Sequence, residues 1–177
     1  MIYFVADCHF GHTNVIKHCN RPFASVDEMN EALIQNWNAT VKAQDEIYIL
    51  GDFTLRPAAK AHDYLSRLNG RKYYIRGNHD RFLDNYEPYE SDFVWVKDYH
   101  RLVYEGQRFV LFHYPILEWD QIHRGAYHVF GHVHNGKVSK ERMAVLDNDR
   151  AFNAGVDVND YRPVSIKEII KRFGARG

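Results

Sequence analysis

The stretch Ile47-Tyr48-Ile49-Leu50-Gly51-Asp52 decides how this chain is read. Four apolar residues, rich in β-formers, run into a glycine and then a carboxylate. That is the pattern of a short buried strand whose C-terminal end delivers an acid into a loop. Gly51 permits a close backbone approach or an unusual φ at the turn. A lone Gly-Asp is more often a turn or a helix cap, but here the arrangement recurs. Ile2–Ala6 ends in Asp7-Cys8-His9, and Tyr73–Ile75 passes through Arg76 into Gly77-Asn78-His79-Asp80. Phe109–Phe112 ends in His113, and Val129-Phe130 ends in Gly131-His132-Val133-His134. In open α/β sheets ligands bind outside the carboxyl ends of the strands. Strand ends that all carry Asp, Asn or His therefore predict one shared site at those ends.

Working outward, a chain of 177 residues fits a single domain spanning 1–177. Its formal net charge is zero, with no basic tail or charge block. This disfavours a protein that holds a long nucleic acid by electrostatics alone. The two cysteines, Cys8 and Cys19, form no CxxC pattern and read as reduced thiols of an intracellular, cytoplasmic protein. The first apolar run is short and lacks a basic flank, so it does not read as a signal peptide. Nothing approaches the roughly 20 apolar residues of a membrane span.

Along the chain, residues 2–6 are expected as the first strand. In extended geometry Asp7 and His9 project to one side and Cys8 to the other, making Cys8 a small core residue. A long polar loop, Phe10–Asn14 and on to Phe23, follows as a candidate substrate wall. Ser25-Val26-Asp27-Glu28 is a capping box that opens a helix with Met29, Leu33, Ile34, Trp37 and Val41 on its inner face. After the strand ending at Asp52, Pro57 marks a helix start, Tyr64, Leu65 and Leu68 its inner face, and Asn69-Gly70 its end. Residues 72–76 form the third strand. Residues 93–104 and 108–113 read as a hairpin around Glu105-Gly106. The plain β-α alternation stops there, which predicts a second, partly antiparallel sheet. Further strands are expected at 127–131, at 143–147 and, more weakly, at 152–157. Ser165–Glu168 is a second capping box opening a C-terminal helix to about Phe173.

The strand ends offer Asp7, His9, Asp52, Asn78, His79, His113, His132 and His134. Imidazole with carboxylate suits Mn, Fe, Zn or Ni better than Ca or Mg. These donors are too many for one tetrahedral ion, and two divalent ions sharing a bridging carboxylate would use them. Such a pair keeps a surplus of positive charge over Asp7 and Asp52. It would hold an anionic phosphoryl group and activate a bridging water as an in-line nucleophile, which is phosphoester hydrolysis.

Together, Asp7-Cys8-His9, Gly51-Asp52, Gly77-Asn78-His79-Asp80, His113 and Gly131-His132-Val133-His134 resemble, in order, the motifs of calcineurin-like metallophosphoesterases. The chain looks like a small microbial or phage-type member. The resemblance implies an α/β fold, a four-layer α/β/β/α sandwich with mixed sheets and a dinuclear centre at the C-terminal ends of strands. It implies one metal on Asp7, His9, Asp52 and His134, and another on Asp52, Asn78, His113 and His132. The metals are two divalent transition ions, with manganese as the first choice. His79 would be the catalytic histidine, with Asp80 either in reach to orient it or capping the next helix. The implied partner is a small phosphomonoester or phosphodiester, not a membrane.

Outside the motifs, His12, Asn14 and Arg21 are expected to contact substrate. Arg56 and Arg81 are either phosphate ligands or solvated charges, and Tyr114 and Trp119 either stack on a base or pack in the core. His18, His62, His100, His123 and His128 read as structural or surface residues. A nuclease on the same centre and a non-catalytic metal-binding scaffold are the competing functions. The presence of His79 beside a full ligand set favours catalysis over the scaffold.

Overall fold

The computed structural model describes residues 1–85, 89–136 and 150–174. Two sheets carry the fold. The first contains β1 (Ile2–Val5), β2 (Glu46–Ile49), β3 (Arg71–Ile75) and β4 (Trp95–Lys97), parallel in the order β4-β3-β2-β1. A two-residue strand near the C-terminus, Val164–Ser165, pairs antiparallel with β1 at the edge of this sheet. The second sheet contains β5 (Tyr99–Tyr104), β6 (Gln107–Phe112), β7 (Tyr127–Phe130) and β8 (Ala151–Asn153) in sequence order. The β5–β6 pair is antiparallel, and the β6–β7 and β7–β8 pairs are parallel. Mixed sheets with helices make this an α/β sandwich, as the strand pattern predicts.

The period-2 alternation of buried strand residues divides the core. Val5, Ile47, Ile49 and Tyr74 face one way, against α1 (Thr13–His18), α2 (Val26–Thr40) and α3 (Ala58–Leu65). Phe4, Tyr48, Leu50, Tyr73 and Ile75 face the other way, into Phe109, Leu111, Tyr127, Val129 and Phe152 of the second sheet. Two further helices are α4 (Tyr89–Asp92) and α5 (Ile166–Gly174). Helix α5 sets Ile166, Ile169, Ile170 and Phe173 into this inter-sheet core. On the outer face of the second sheet, Val110 packs under Trp119 and Ala126 of the 114–126 loop.

Both capping boxes form. The Ser25 hydroxyl accepts from the Glu28 N–H, while the Glu28 carboxylate takes the N–H of Ala24. At the start of α5 the Ser165 hydroxyl accepts from the Glu168 N–H and the Glu168 carboxylate takes the N–H of Ser165 itself, one residue further on than at the first box. Met29, Leu33, Ile34, Trp37 and Val41 are all buried, as is Cys8.

Several expectations need correction. The expected strand 93–104 is two strands in different sheets, because the chain changes sheet at Asp98 between β4 and β5. The hairpin turn is where it was expected, with Glu105 and Gly106 both at positive φ, as a two-residue turn demands. The polar segment after the first strand is not all loop, since Thr13–His18 is helical around the buried Val15. Helix α3 stops at Leu65, short of Asn69-Gly70, and turns complete the connection. The 152–157 strand ends at Asn153, and Val156–Val158 is a 3-10 turn. The expected strand at 143–147 lies outside the described residues. Among the described residues, no helix is long and apolar enough to cross a membrane.

Candidate metal centre

The loops after β1, β2, β3, β6 and β7 converge above the ends of the two sheets, and they bring two donor groups together. Asp7, His9 and His134 form one, and Asp52, His113 and His132 the other; within each, the donor atoms lie within 4.8 Å of one another. Asp52 joins them. Its Oδ2 lies 3.8 Å from His9 Nε2 and 3.5 Å from His113 Nε2. Asn78 adds its Oδ1 at 3.0 Å from His113 Nε2.

The donors face one another through left-handed backbone, which corrects the extended geometry expected of Asp7 and His9. Asp7, His9, Asp52, His132 and His134 have φ of 58°, 52°, 53°, 71° and 43°. Non-glycine residues there cost on the order of 1 kcal/mol or more each, so the surroundings must hold them. They do so with backbone bonds: Asp7 N–H donates to Gly51 O (3.1 Å) and His9 N–H to Asp52 O (3.0 Å). His132 N–H donates to Asp7 Oδ2 (2.8 Å). The bend at Gly51 (φ 84°) also requires the missing side chain, since a Cβ there would sit 2.5 Å from His113 Nδ1.

The residues present fit bound cations. Asp7 Oδ1 and both ring nitrogens of His9 are buried with no hydrogen-bond partner. Orphan buried donors and acceptors are costly, and a cation would satisfy Asp7 Oδ1 and the one His9 ring nitrogen that carries a lone pair in the neutral ring. His113 Nδ1 lies 2.7 Å from the Leu50 carbonyl, which can only accept. In the neutral ring the proton is therefore on Nδ1, and the Nε2 lone pair points at Asn78 and Asp52. Burial, reinforced by the neighbouring His134 and Arg21, holds His9 down at about 2, so its ring stays neutral and could offer a lone pair to a metal. Burial also lifts the Asp7 carboxyl to about 7 against the pull of His134 and His113. A cation beside Asp7 offsets that cost.

A residue absent from the sequence motifs completes the support. Asp157 Oδ2 accepts from His134 Nδ1 at 2.7 Å, fixing the ring so that Nε2 remains for a metal. Burial works against charge on His134, but the bonds to Asp157 and Cys19 and the nearby Asp7 carboxylate together outweigh it and raise the imidazole to about 10; a cation at Nε2 would displace the second ring proton. Asp157 is in turn clamped by Arg21, with Nε to Oδ1 at 2.8 Å and Nη2 to Oδ2 at 2.9 Å. The same guanidinium donates to the carbonyls of Asp7 (2.7 Å) and Cys8 (2.8 Å). Both side chains are fully buried. Arg21 thus lies beneath the donor loops with its nitrogens committed, which corrects the expectation that it contacts substrate.

Asp80 also takes a different part from the one expected. Its buried carboxylate accepts from the N–H groups of Asp52 (2.9 Å), Phe53 (3.1 Å) and Gly77 (2.7 Å). It ties the second and third motif loops together, and no bond to the His79 ring is made. His79 is exposed at the rim, its ring centroid 5.7 Å from that of His9, and its N–H is anchored on Asp52 Oδ1 at 2.9 Å. His12 stands at 5.5 Å from His9. A cavity of about 330 Å³ opens over His9, His12, His18, Cys19, His79 and His134.

The remaining residues sort by burial. Trp119 is core: its indole N–H donates to Ala126 O (2.9 Å) and its ring lies 5.3 Å from buried His128. Burial keeps His128 down at about 4. His62 is half-exposed and pairs with Asp92 at 2.6 Å. Tyr114 is exposed and stands against His132 (4.7 Å) and His113 (5.0 Å). Arg81 lies exposed on the 3-10 turn after Asp80. Asn14 and Arg56 border a smaller hollow beside His12.

Carboxylate and imidazole donors gathered on the strand ends of an α/β sandwich define a metal-binding hydrolase architecture. The chain belongs to the calcineurin-like phosphoesterase superfamily, whose domain model matches residues 1–157. Membership supports a metal-dependent phosphoesterase in general terms and names no substrate. The protein MJ1445 of Methanocaldococcus jannaschii is 37% identical over 172 residues, covering 96% of this chain and 89% of that one. The Gene 66 protein of Mycobacterium phage D29 is 28% identical, covering 96% and 95%. The crystal structure of AQ665 from Aquifex aeolicus superposes with a TM-score of 0.74 at 28% identity, covering 97% of this chain and 98% of that one.

Proposed function

We propose that this chain is a dinuclear metal-dependent phosphoesterase acting on a small phosphomonoester or phosphodiester. The observation that carries the reading is Asp52 Oδ2, placed between His9 Nε2 (3.8 Å) and His113 Nε2 (3.5 Å). A carboxylate oxygen placed between imidazole nitrogens of two donor groups is suited to bridge two cations. Asp7, His9, Asp52 and His134 would hold one ion, and Asp52, Asn78, His113 and His132 the other, with manganese the expected activator. When bound, the ions supply neutralisation of phosphoryl oxygens and a water acidic enough to attack near neutral pH. Leu50 O and Asp157 orient the rings of His113 and His134 for that task. His79, exposed beside His9 and held through its own N–H, donates a proton to the leaving oxygen. Cys8 and Cys19 are both free and buried, which supports a reducing, cytoplasmic setting.

Turnover of 4-nitrophenyl mono- and diesters with added Mn, Fe, Zn or Ni tests the reaction class; no hydrolysis with any of them would defeat it. The leaving group tests His79. A nitrophenolate departs without a proton, whereas a ribose or alkyl oxygen needs one. General acid catalysis is worth roughly 10²–10⁴-fold. His79→Gln is therefore expected to keep its metal content and to lose about 10²-fold or more on a ribose ester, with a much smaller loss on the nitrophenyl ester. Equal losses on the two substrates would remove the proton-donor role, and loss of metal would make His79 a ligand.

A further inference from the structure

Beside the cavity over the donor groups lies a second hollow of about 230 Å³, bounded by Gly11, His12, Thr13, Asn14, Leu55 and Arg56. His12 lines both, so the two spaces adjoin across one imidazole. We propose that this hollow is a second anion subsite, and that the substrate is a small molecule carrying a second phosphate beside the one hydrolysed. The proposal rests on the phosphoesterase reading above.

The lining has the chemistry of an anion site. It offers a guanidinium, an imidazole, a hydroxyl and an amide, and no carboxylate among the described residues. A guanidinium fork with neighbouring neutral donors matches a tetrahedral oxyanion. The space holds several waters at about 30 Å³ each, enough for a phosphoryl group. Arg56 is set in place beforehand. Its Nε donates to Gly11 O at 2.9 Å, and its backbone N–H donates to Thr54 Oγ1 at 3.0 Å. Thr54 is itself anchored on Phe10 O at 2.8 Å. Among the described residues no carboxylate lies within ion-pair reach of Arg56, so both terminal nitrogens keep their donors for a ligand. Gly11 permits this arrangement: it sits at φ 72°, and a Cβ there would come within 2.9 Å of Arg56 Nε and 3.0 Å of its Cγ. His12 Nδ1 is buried without a partner, and a phosphate oxygen would supply one.

Two pairs of probes test this on the Mn-loaded full chain: adenosine 3′,5′-bisphosphate against adenosine 5′-monophosphate, and dithymidine monophosphate with and without a 5′-phosphate. In the pair that is turned over, the added phosphate is expected to raise kcat/KM about tenfold or more, as charge-assisted bonds to a phosphate do. Arg56→Gln should remove most of that advantage, cutting the doubly phosphorylated probe about tenfold more than its partner, and Arg56→Lys should restore part of it. Titration of metal-free protein with adenosine 3′,5′-bisphosphate gives a readout independent of turnover, and binding should weaken about tenfold in Arg56→Gln. An advantage below about twofold, or equal losses on both members of a pair, would overturn the subsite while leaving the phosphoesterase reading intact. No turnover of any probe or nitrophenyl ester overturns the parent reading; unchanged binding to metal-free Arg56→Gln overturns the subsite on its own.

Discussion

Asp52→Asn is expected to abolish turnover and to weaken both metal ions together. The amide keeps an oxygen at Oδ1, where it can still accept from His79 N–H, as Asp52 does at 2.9 Å. It puts an NH₂ in place of Oδ2, the atom that faces His9 and His113. The bridge then loses its charge and its lone pair while the loop keeps its shape. Metal ions contribute several kcal/mol to stabilising a phosphoryl-transfer transition state, so the rate should fall on the order of 10³-fold or more. Asp7→Asn should chiefly empty the group built from Asp7, His9 and His134, because Asp7 belongs to that set alone. Steady-state kinetics with metal analysis of both variants distinguishes these outcomes. An Asp52→Asn protein that retains one ion at full affinity would show that the carboxylate is not shared.

Arg21→Leu is expected to produce the largest loss of stability. It strips Asp157 of a bidentate partner inside the fold and leaves a buried carboxylate with only His134. Breaking a buried pair from one side costs about 3–5 kcal/mol. The carbonyls of Asp7 and Cys8 lose their donors as well. With a urea m-value near 2 kcal/mol/M, the midpoint of the metal-free protein should drop by about 1.5–2.5 M. A fall below about 0.5 M would mean that Arg21 is not structural. Arg21→Lys should recover only part, since an ammonium cannot reproduce the fork that grips Asp157.

Arg21 also shows where sequence reading reached its limit. It lies close to Asp7-Cys8-His9 in the chain, and that proximity suggested a substrate contact. Its partner Asp157 is 136 residues away, and no local pattern links them. Asp80 is similar: its neighbour in sequence is His79, but its bonds run to Asp52, Phe53 and Gly77. What was legible is what short-range chemistry encodes. Apolar runs ending in Asp, Asn or His marked the strand ends, and the boxes at Ser25 and Ser165 marked two helix starts. The donor sets emerged because parallel strands must present their C-terminal ends on one side. The left-handed turns at Asp7, His9, Asp52, His132 and His134 were not legible, because propensity disfavours them and only the cross-loop bonds hold them there. The switch of sheet at Asp98 was hidden for a related reason, since β4 and β5 are both strand-like and only their partners differ.

In the proposed dinuclear centre one carboxylate, Asp52, couples two cation sites. Titrating the metal-free protein with Mn and counting bound ions per chain tests it most directly. Two ions per chain are expected at saturation, with both lost in parallel in Asp52→Asn. One tightly bound ion at saturating Mn, in a chain with all seven donors from Asp7 to His134 intact, would contradict it.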